Sequence, residues 1–494
     1  MTATLVFLVA LLVSLCTPGR TSVPPNIQQE LGPRLSSGAL VVFPSTPGFA
    51  ALNDRWTDGG RPTYGVIIVP ATERDVVEAV QYANAHGVPF FATTGGHGTW
   101  WGLAALQDGM AIWLRNLTTL ELVGDGTTAR LGGGLRGTDV IHGLWALGKQ
   151  TTTGVCTCAS LAGPALGGGH GYLQGLHGLA LDQIVGARVV LANGSLISVT
   201  SRKETADLLW ALKGAGHNFG IVTEFTYKVY DVVKPNWAYE FLSFTGDKVD
   251  DIYRVSRAMM AYQPQEAVQW SQWVVDPQTD PVRPIIVYSL FYNGPPEELA
   301  SYSKPLVDIG PFASVSGSSP YANLSQPAGL DLDGPGCQDQ GPLQMFPTDV
   351  ETYDLPGMRT FYETFVDMVR AEPALAAGSY SLIEQLSTQA VRAVPAETTA
   401  YGHRKQKLLI SPVLTYAGSD NTTLNAAIAQ WGEKMRSAVF ANMERHTYVN
   451  YARGTETDEE LYGHEKWRIA KLKKLKKVYD PHNKFGYFGG IAVP

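Results

Sequence analysis

Three glycine-dense loops interrupt the first half of the chain, at residues 95–98, 167–171 and 214–220. Glycine that concentrated is too costly for the interior of an ordinary helix or central strand. The chain must therefore run as short regular elements separated by loops of bare backbone. Backbone N–H groups with no Cβ in the way can form anion-binding concavities that meet a pyrophosphate. One such loop reads as a close-packed turn; three, with reactive side chains inside two of them, point to a nucleotide cofactor.

The flanks show how the first loop is presented. "TYGVIIVPATERDVVEAVQYANAHGVPFFATTGGHG", residues 63–98, reads as strand, helix, strand and loop. "YGVIIV" is β-branched, Thr72-x-x-Asp75 is a capping-box pattern, Val76, Val77, Val80 and Ala83 form an inward face, and His86-Gly87 closes the helix. "VPFFAT" then leads into Gly95-Gly96-His97-Gly98, so His97 sits on a loop just past a strand end, where rigid scaffolds display binding residues. Further on, "ARVVLANGSLISVT" predicts a hairpin at Asn193-Gly194, and "DLLWALKGAGHNFGIVTEFTYKVY" a helix, a glycine loop and a strand. Beyond residue 233 longer amphipathic helices and isolated strands take over, with a Pro/Gly/Ser-rich passage at 308–342. This predicts a second domain, and no internal repeat appears.

Gly132-x-Gly134-x-x-Gly137 follows a strand and opens a helix, as a nicotinamide fingerprint does, but residues 151–181 contain no Asp or Glu to take the ribose hydroxyl. A nicotinamide site is therefore not expected. The chain's 494 residues, 45% hydrophobic and 17% charged, can bury a large core in more than one domain. A net charge of −7, from 38 Lys and Arg against 45 Asp and Glu, offers no field for nucleic acid or an anionic membrane.

Residues 5–15 of "MTATLVFLVALLVSLCTPGRTS" form an apolar run too short to span a bilayer, which fits a secretory signal over residues 1–21, with an uncleaved anchor as the alternative. Sequons at Asn116, Asn193, Asn323 and Asn421 point the same way, to a secreted or lumenal glycoprotein. Without Cys16 the mature chain keeps Cys156, Cys158 and Cys337, an odd number that asks for a chemical explanation.

"TTGGHG", "GVCTCASLAGPALGGGHGYLQGLHGLALDQIVGARVV", "DLLWALKGAGHNFGIVTEF" and the C-terminal "YVNYARGTETDEELYGHEKWRIAKLKKLKKVYDPHNKF" together resemble the berberine-bridge-enzyme-like oxidases of the vanillyl-alcohol-oxidase/p-cresol-methylhydroxylase (PCMH) superfamily, fungal members especially. The resemblance covers residues 62–229 and 447–491. It implies an α+β, two-domain fold: an FAD-binding PCMH-type domain at 22–232, an inserted α+β substrate domain at 233–445, and a C-terminal segment, 446–494, that returns to complete the FAD domain.

The resemblance also implies roles. His97 matches the histidine bonded to the flavin 8α carbon, although many members carry Arg where this chain has Thr93-Thr94. Cys156, ten residues before Gly167-Gly168-Gly169, has the spacing of the cysteine bonded to flavin C6 in bicovalent members. Cys158 is the runner-up, and pairing of Cys158 with Cys337 would account for all three cysteines. Gly95, Gly96, Gly98, Gly167, Gly168, Gly169, Gly220 and Ile221 are the remaining cofactor candidates. Tyr451, in "YVNY", matches the general base; read as a strand, the segment puts Tyr448 and Asn450 on one face and Tyr451 on the other. A polar residue on a neighbouring substrate-domain strand assists this tyrosine in related enzymes, and Gln389 in "STQAV" is the candidate.

Other features read as structural. "KWRIAKLKKLKKVYD" predicts a surface helix with Ile469, Leu472, Leu475 and Val478 inward and its lysines outward. His170 and His177 lack Cys or carboxylate partners at metal spacing, so no metal is expected. Trp100 and Trp101 are read as packing or a stacking platform.

The expectation is a monomeric FAD oxidase that takes hydride from an alcohol or amine carbon, or closes or desaturates a ring, with O2 as acceptor and H2O2 as product, in fungal secondary metabolism. An extracellular oligosaccharide oxidase is the enzymatic alternative, and a flavin-less secreted binding protein the non-enzymatic one.

Overall fold

A computed structural model describes residues 23–418, 420–439 and 444–493. The leader expected over residues 1–21 lies outside them. The first unit is a four-stranded sheet in which Tyr64–Val69 and Phe90–Thr93 run parallel to Gly109–Trp113, and Leu40–Val42 pairs antiparallel at the edge. Helix Glu73–His86 makes the crossover. Its Thr72/Asp75 capping box is formed, Val76, Val77, Val80 and Ala83 are buried, and Gly87 ends it at φ +67°. The strand Phe90–Thr93 leads directly into the Gly95–Gly98 loop.

An antiparallel five-stranded sheet follows, ordered Leu120–Val123, Thr128–Gly132, Ile221–Lys228, Ile184–Val190, Leu196–Thr200. The Asn193-Gly194 hairpin turn is present, with Gly194 at φ +81°. The Gly132–Gly137 passage is explained by close packing: a Cβ on Gly134 would lie 2.0 Å from the Leu114 carbonyl oxygen.

Beyond Tyr230–Asp231 the chain enters an eight-stranded antiparallel sheet that begins with Asn236–Phe244 and ends with Leu408–Leu414. Alternation along its strands divides two faces. Trp273, Ile286 and Ile383 pack against helices Val249–Met259, Leu355–Ala371 and Thr422–Ala438. Val268, Trp270, Phe291 and Leu386 pack on the other face against Tyr172 and Leu173 of the glycine-rich region.

After that sheet the chain returns. Tyr448, Val449, Leu461, Leu472 and Phe488 share one core with Leu131, Ala165, Leu212 and Phe225. Helix Lys466–Tyr479 buries Ile469, Leu472 and Leu475, but Val478 is 64% exposed. A strict three-residue spacing drifts about 60° per step around a helix of 3.6 residues per turn, so the fourth member ends on the far side. Lys476 takes the inward position instead. Its ammonium is fully buried, donating to Asp480 Oδ2 at 2.7 Å and to the Asn218 carbonyl at 3.0 Å.

Candidate active site

The glycine loop after Phe90–Thr93 forms one wall of a cleft. Thr93, Thr94, Gly95, Gly96, His97 and Gly98 line it, with Ser160, Pro164, His217, Gly220, Ile221, Asn450, Lys484 and Phe488 opposite. Gly96 holds φ +67° with its back to Asp54 and Arg55, a conformation that suits glycine. Arg55, which nothing in the sequence marks, donates from Nη2 to the Gly98 carbonyl at 2.7 Å and lines the cleft. It brings from elsewhere in the chain a guanidinium to a loop whose lead-in is Thr93-Thr94.

The cleft fits a flavin dinucleotide. Arg55 and Lys484 are among its lining residues, which include no Asp or Glu, so a pyrophosphate meets no like charge. Two polar atoms on its wall are buried without a partner, Arg55 Nε and His217 Nδ1. His217 donates from Nε2 to the Gly163 carbonyl at 2.9 Å, which leaves Nδ1 as an unused acceptor.

His97 stacks on Trp56, with ring centroids 4.9 Å apart and planes at 16°. Burial, and after it the charge of Arg55, pushes the His97 pKa down to about 4, so the ring is neutral and keeps a nitrogen lone pair at ordinary pH. Cys158 is bonded to Cys337, which staples the glycine-rich region to the loop following the strand Ala313–Pro320. Cys156 is the free thiol among the described residues. The Cys158 sulfur lies 3.1 Å from His97 Nε2 and the Cys156 sulfur within 4.8 Å of a His97 ring nitrogen, and burial raises the Cys156 pKa to about 11.

Gly167, Gly168 and Gly169, expected at the cofactor, do not line this cleft. They make room for the returning chain: a Cβ on Gly167 would lie 2.3 Å from Asn450 Oδ1, and one on Gly168 2.7 Å from the Tyr448 ring. Residues 448–451 form a turn rather than the expected strand, closed by the Tyr451 N–H on the Tyr448 carbonyl at 3.0 Å. The turn brings the two tyrosine rings to 5.1 Å, so they do not point to opposite faces. Tyr448 Oη accepts from the Gly169 N–H at 2.8 Å and from Asn450 Nδ2 at 2.6 Å, a fixed, buried phenol whose pKa desolvation raises to about 12.

Gln389 is not at this site. It opens helix Gln389–Ala393, is exposed, and bonds Ser387 and the Gln263 carbonyl. The polar group beside Tyr451 is Glu384, from strand Tyr380–Leu386. Glu384 lies opposite Trp270 and Leu409 in the sheet, and residues so paired share a face, so it points at the glycine-rich region. Its carboxylate faces the Tyr451 hydroxyl; burial lifts the Glu384 pKa to about 7, and burial and then Glu384 raise that of Tyr451 well above its usual range. Glu384 Oε2 has no partner. Tyr451, Trp56, Tyr380 and Leu382 all pack against the cluster Leu343, Met345 and Val413. Trp56 therefore touches both His97 and the Tyr451 surroundings.

Trp100 and Trp101 serve packing: Trp100 is 8% exposed beside Phe488, and Trp101 donates to the Leu343 carbonyl.

Residues 64–200 match the FAD binding domain family. Over 94% of its length the chain is 38% identical to the FAD-linked oxidoreductase chyH of Penicillium rubens, covering 93% of that protein. It belongs to the FAD-linked oxidoreductases. Among solved structures, Physcomitrella patens BBE-like 1 shares the fold with a TM-score of 0.82 at 21% identity, over 95% of this chain and 99% of that one. The glucooligosaccharide oxidase of Acremonium strictum, which carries a 6-S-cysteinyl, 8α-N1-histidyl FAD, has a TM-score of 0.80 at 20% identity, over 95% and 99%. This FAD-linked oxidoreductase thus has the α+β, PCMH-type fold that its glycine loops and C-terminal segment resemble, and membership in the family sets the flavin-less binding protein aside.

Proposed function

We propose that this FAD-linked oxidoreductase is an H2O2-forming oxidase of a small, largely apolar or aromatic secondary metabolite, acting on an alcohol or amine carbon or closing or desaturating a ring. The observation that carries the reading is the buried Glu384 carboxylate beside Tyr451, a tyrosine that packs against Leu343, Met345 and Val413. Trp56, Tyr380 and Tyr451 bring aromatic rings to this corner, which suits a planar substrate.

His97 and Cys156 hold the cofactor. The imidazole is neutral and able to form a bond to carbon, the sulfur is within 4.8 Å of it, and Cys158 is occupied by Cys337. The bicovalent flavin of the Acremonium strictum enzyme supports the same pair here. Bound FAD supplies the hydride acceptor, and O2 regenerates it.

The protein's own part is proton transfer. Tyr451 accepts the proton released by the substrate as its own passes to Glu384, whose pKa of about 7 suits a base at neutral pH. Tyr448 does not titrate there; with Asn450 it locks the turn that aims Tyr451. Export through the secretory pathway is proposed alongside: Asn116, Asn193, Asn323 and Asn421 are all exposed, and among the described residues no helix is long and apolar enough to cross a membrane.

Anaerobic mixing tests the function. Aromatic alcohols and amines should bleach the flavin band and cello- or chito-oligosaccharides should not. Rapid saturable bleaching by the oligosaccharides alone would overturn the substrate class.

A further inference from the structure

Outside the cleft, three histidines converge from loops far apart in sequence. His403 precedes strand Leu408–Leu414, His446 lies just before the Tyr448–Tyr451 turn, and His464 lies just before helix Lys466–Tyr479. Rings 403 and 446 are 5.4 Å apart, and rings 446 and 464 are 5.0 Å apart. The ligand atoms of Glu444, His446 and His464 lie within 4.8 Å of one another. Ligand atoms about 2.1 Å from a tetrahedral ion stand about 3.4 Å apart, inside that bound.

Hydrogen bonds have already set the ring protons. His464 Nε2 faces the Arg445 carbonyl and His403 Nε2 the Leu461 carbonyl, both at 2.7 Å, and only an N–H can donate there. In the neutral rings that a metal requires, the His403 and His464 Nδ1 atoms are therefore lone pairs. His446 Nδ1, 3.3 Å from His403 Nδ1, must then be the donor, which frees His446 Nε2. A ligand histidine whose other nitrogen is fixed by a carbonyl or a second polar group is the usual arrangement at protein metal sites. Glu351 and Glu465 add negative potential at His446.

We propose that Glu444, His446 and His464 form a site for a divalent transition metal of the zinc class. Two imidazoles and one carboxylate select such ions over calcium or magnesium, and the part-exposed site leaves room for water on the metal. The ion would clamp the start of the C-terminal return. His446 also accepts the Asp349 N–H through its carbonyl at 2.8 Å, and the Thr447 N–H bonds the Glu460 carbonyl at 2.9 Å, so the clamp holds the chain two residues before Tyr448. The other histidine–sulfur cluster, His97 with Cys156 and Cys158, has one sulfur committed to a disulfide.

Calorimetric titration of the chelator-stripped, flavin-loaded protein with Zn2+ tests the site. One equivalent should bind and raise the melting temperature. His464→Ala and His446→Ala should each weaken binding about 100-fold or more, and Glu444→Gln, a change at an exposed side chain, about tenfold. Flavin absorbance per protein reports that each variant is folded. Absence of stoichiometric binding to the wild type, or wild-type affinity in either His464→Ala or Glu444→Gln, would overturn the proposal.

Discussion

Glu384 and Tyr451 meet where the eight-stranded sheet faces the returning C-terminal chain, and their interaction couples two segments that the sequence keeps far apart. The carboxyl is fully buried, its Oε2 has no partner, and its pKa stands at about 7 instead of 4.5. Both stability and chemistry follow from that placement.

An acid whose pKa is raised by folding binds its proton more tightly in the folded state. The resulting penalty is absent below pH 4.5, grows as pH rises to about 7, and is constant above. Its full size is about 3 kcal/mol. Glu384→Gln should therefore raise the melting temperature at pH 8 and leave it nearly unchanged at pH 4.5, while turnover falls about 100-fold or more. Melting curves at the two pH values check the first part, and a lower melting temperature at pH 8 would contradict it.

The proposed attachment through His97 and Cys156 predicts a pattern across variants. The acid-denatured wild type should carry the mass of one FAD and, because a thioether at C6 quenches flavin fluorescence, give a dim gel band under ultraviolet light. Cys156→Ala should brighten the band. His97→Ala should leave it dim but still flavin-bearing, and only the double substitution should release the cofactor. Complete release from His97→Ala alone would show a single link.

Tyr448→Phe removes the acceptor of the Gly169 N–H and one partner of Asn450. A buried donor left unsatisfied costs about 1–3 kcal/mol. Urea denaturation should show that loss, and on the proposed attachment the flavin stays with the chain, since His97 and Cys156 are untouched.

Lys476→Met should be the more damaging change, because it strands the Asp480 carboxylate in a fully buried site. Breaking such a pair from one side costs about 3–5 kcal/mol. A denaturation midpoint within error of the wild type would show that the pair contributes nothing.

Local pattern made part of this legible. The Thr72/Asp75 box, the Asn193-Gly194 turn and the Gly95–Gly98 loop are set by residues within a few positions of one another, and all appear as read. The errors share a cause. The turn at Tyr448–Tyr451 looks like a strand in isolation because its shape is set by Gly167 and Gly168, nearly 300 residues earlier. The sequence string offers Gln389 and not Glu384, because only strand register shows which side chain faces the tyrosine. Arg55 and the Glu444, His446 and His464 group carry no local spacing signal at all. The Lys466–Tyr479 helix exposes Val478 because helical geometry overrides a regular triplet of apolar residues.

The pH dependence of flavin reduction by substrate, followed anaerobically in wild type and Glu384→Gln, tests the Glu384–Tyr451 assignment most directly. The wild-type rate should climb about tenfold per pH unit below pH 7 and level off above it, as the carboxylate becomes able to take the Tyr451 proton. Glu384→Gln should be slow and lack that limb. An identical limb in the variant, or a wild-type rate flat from pH 5 to 9, would contradict the assignment of Glu384 as the acceptor.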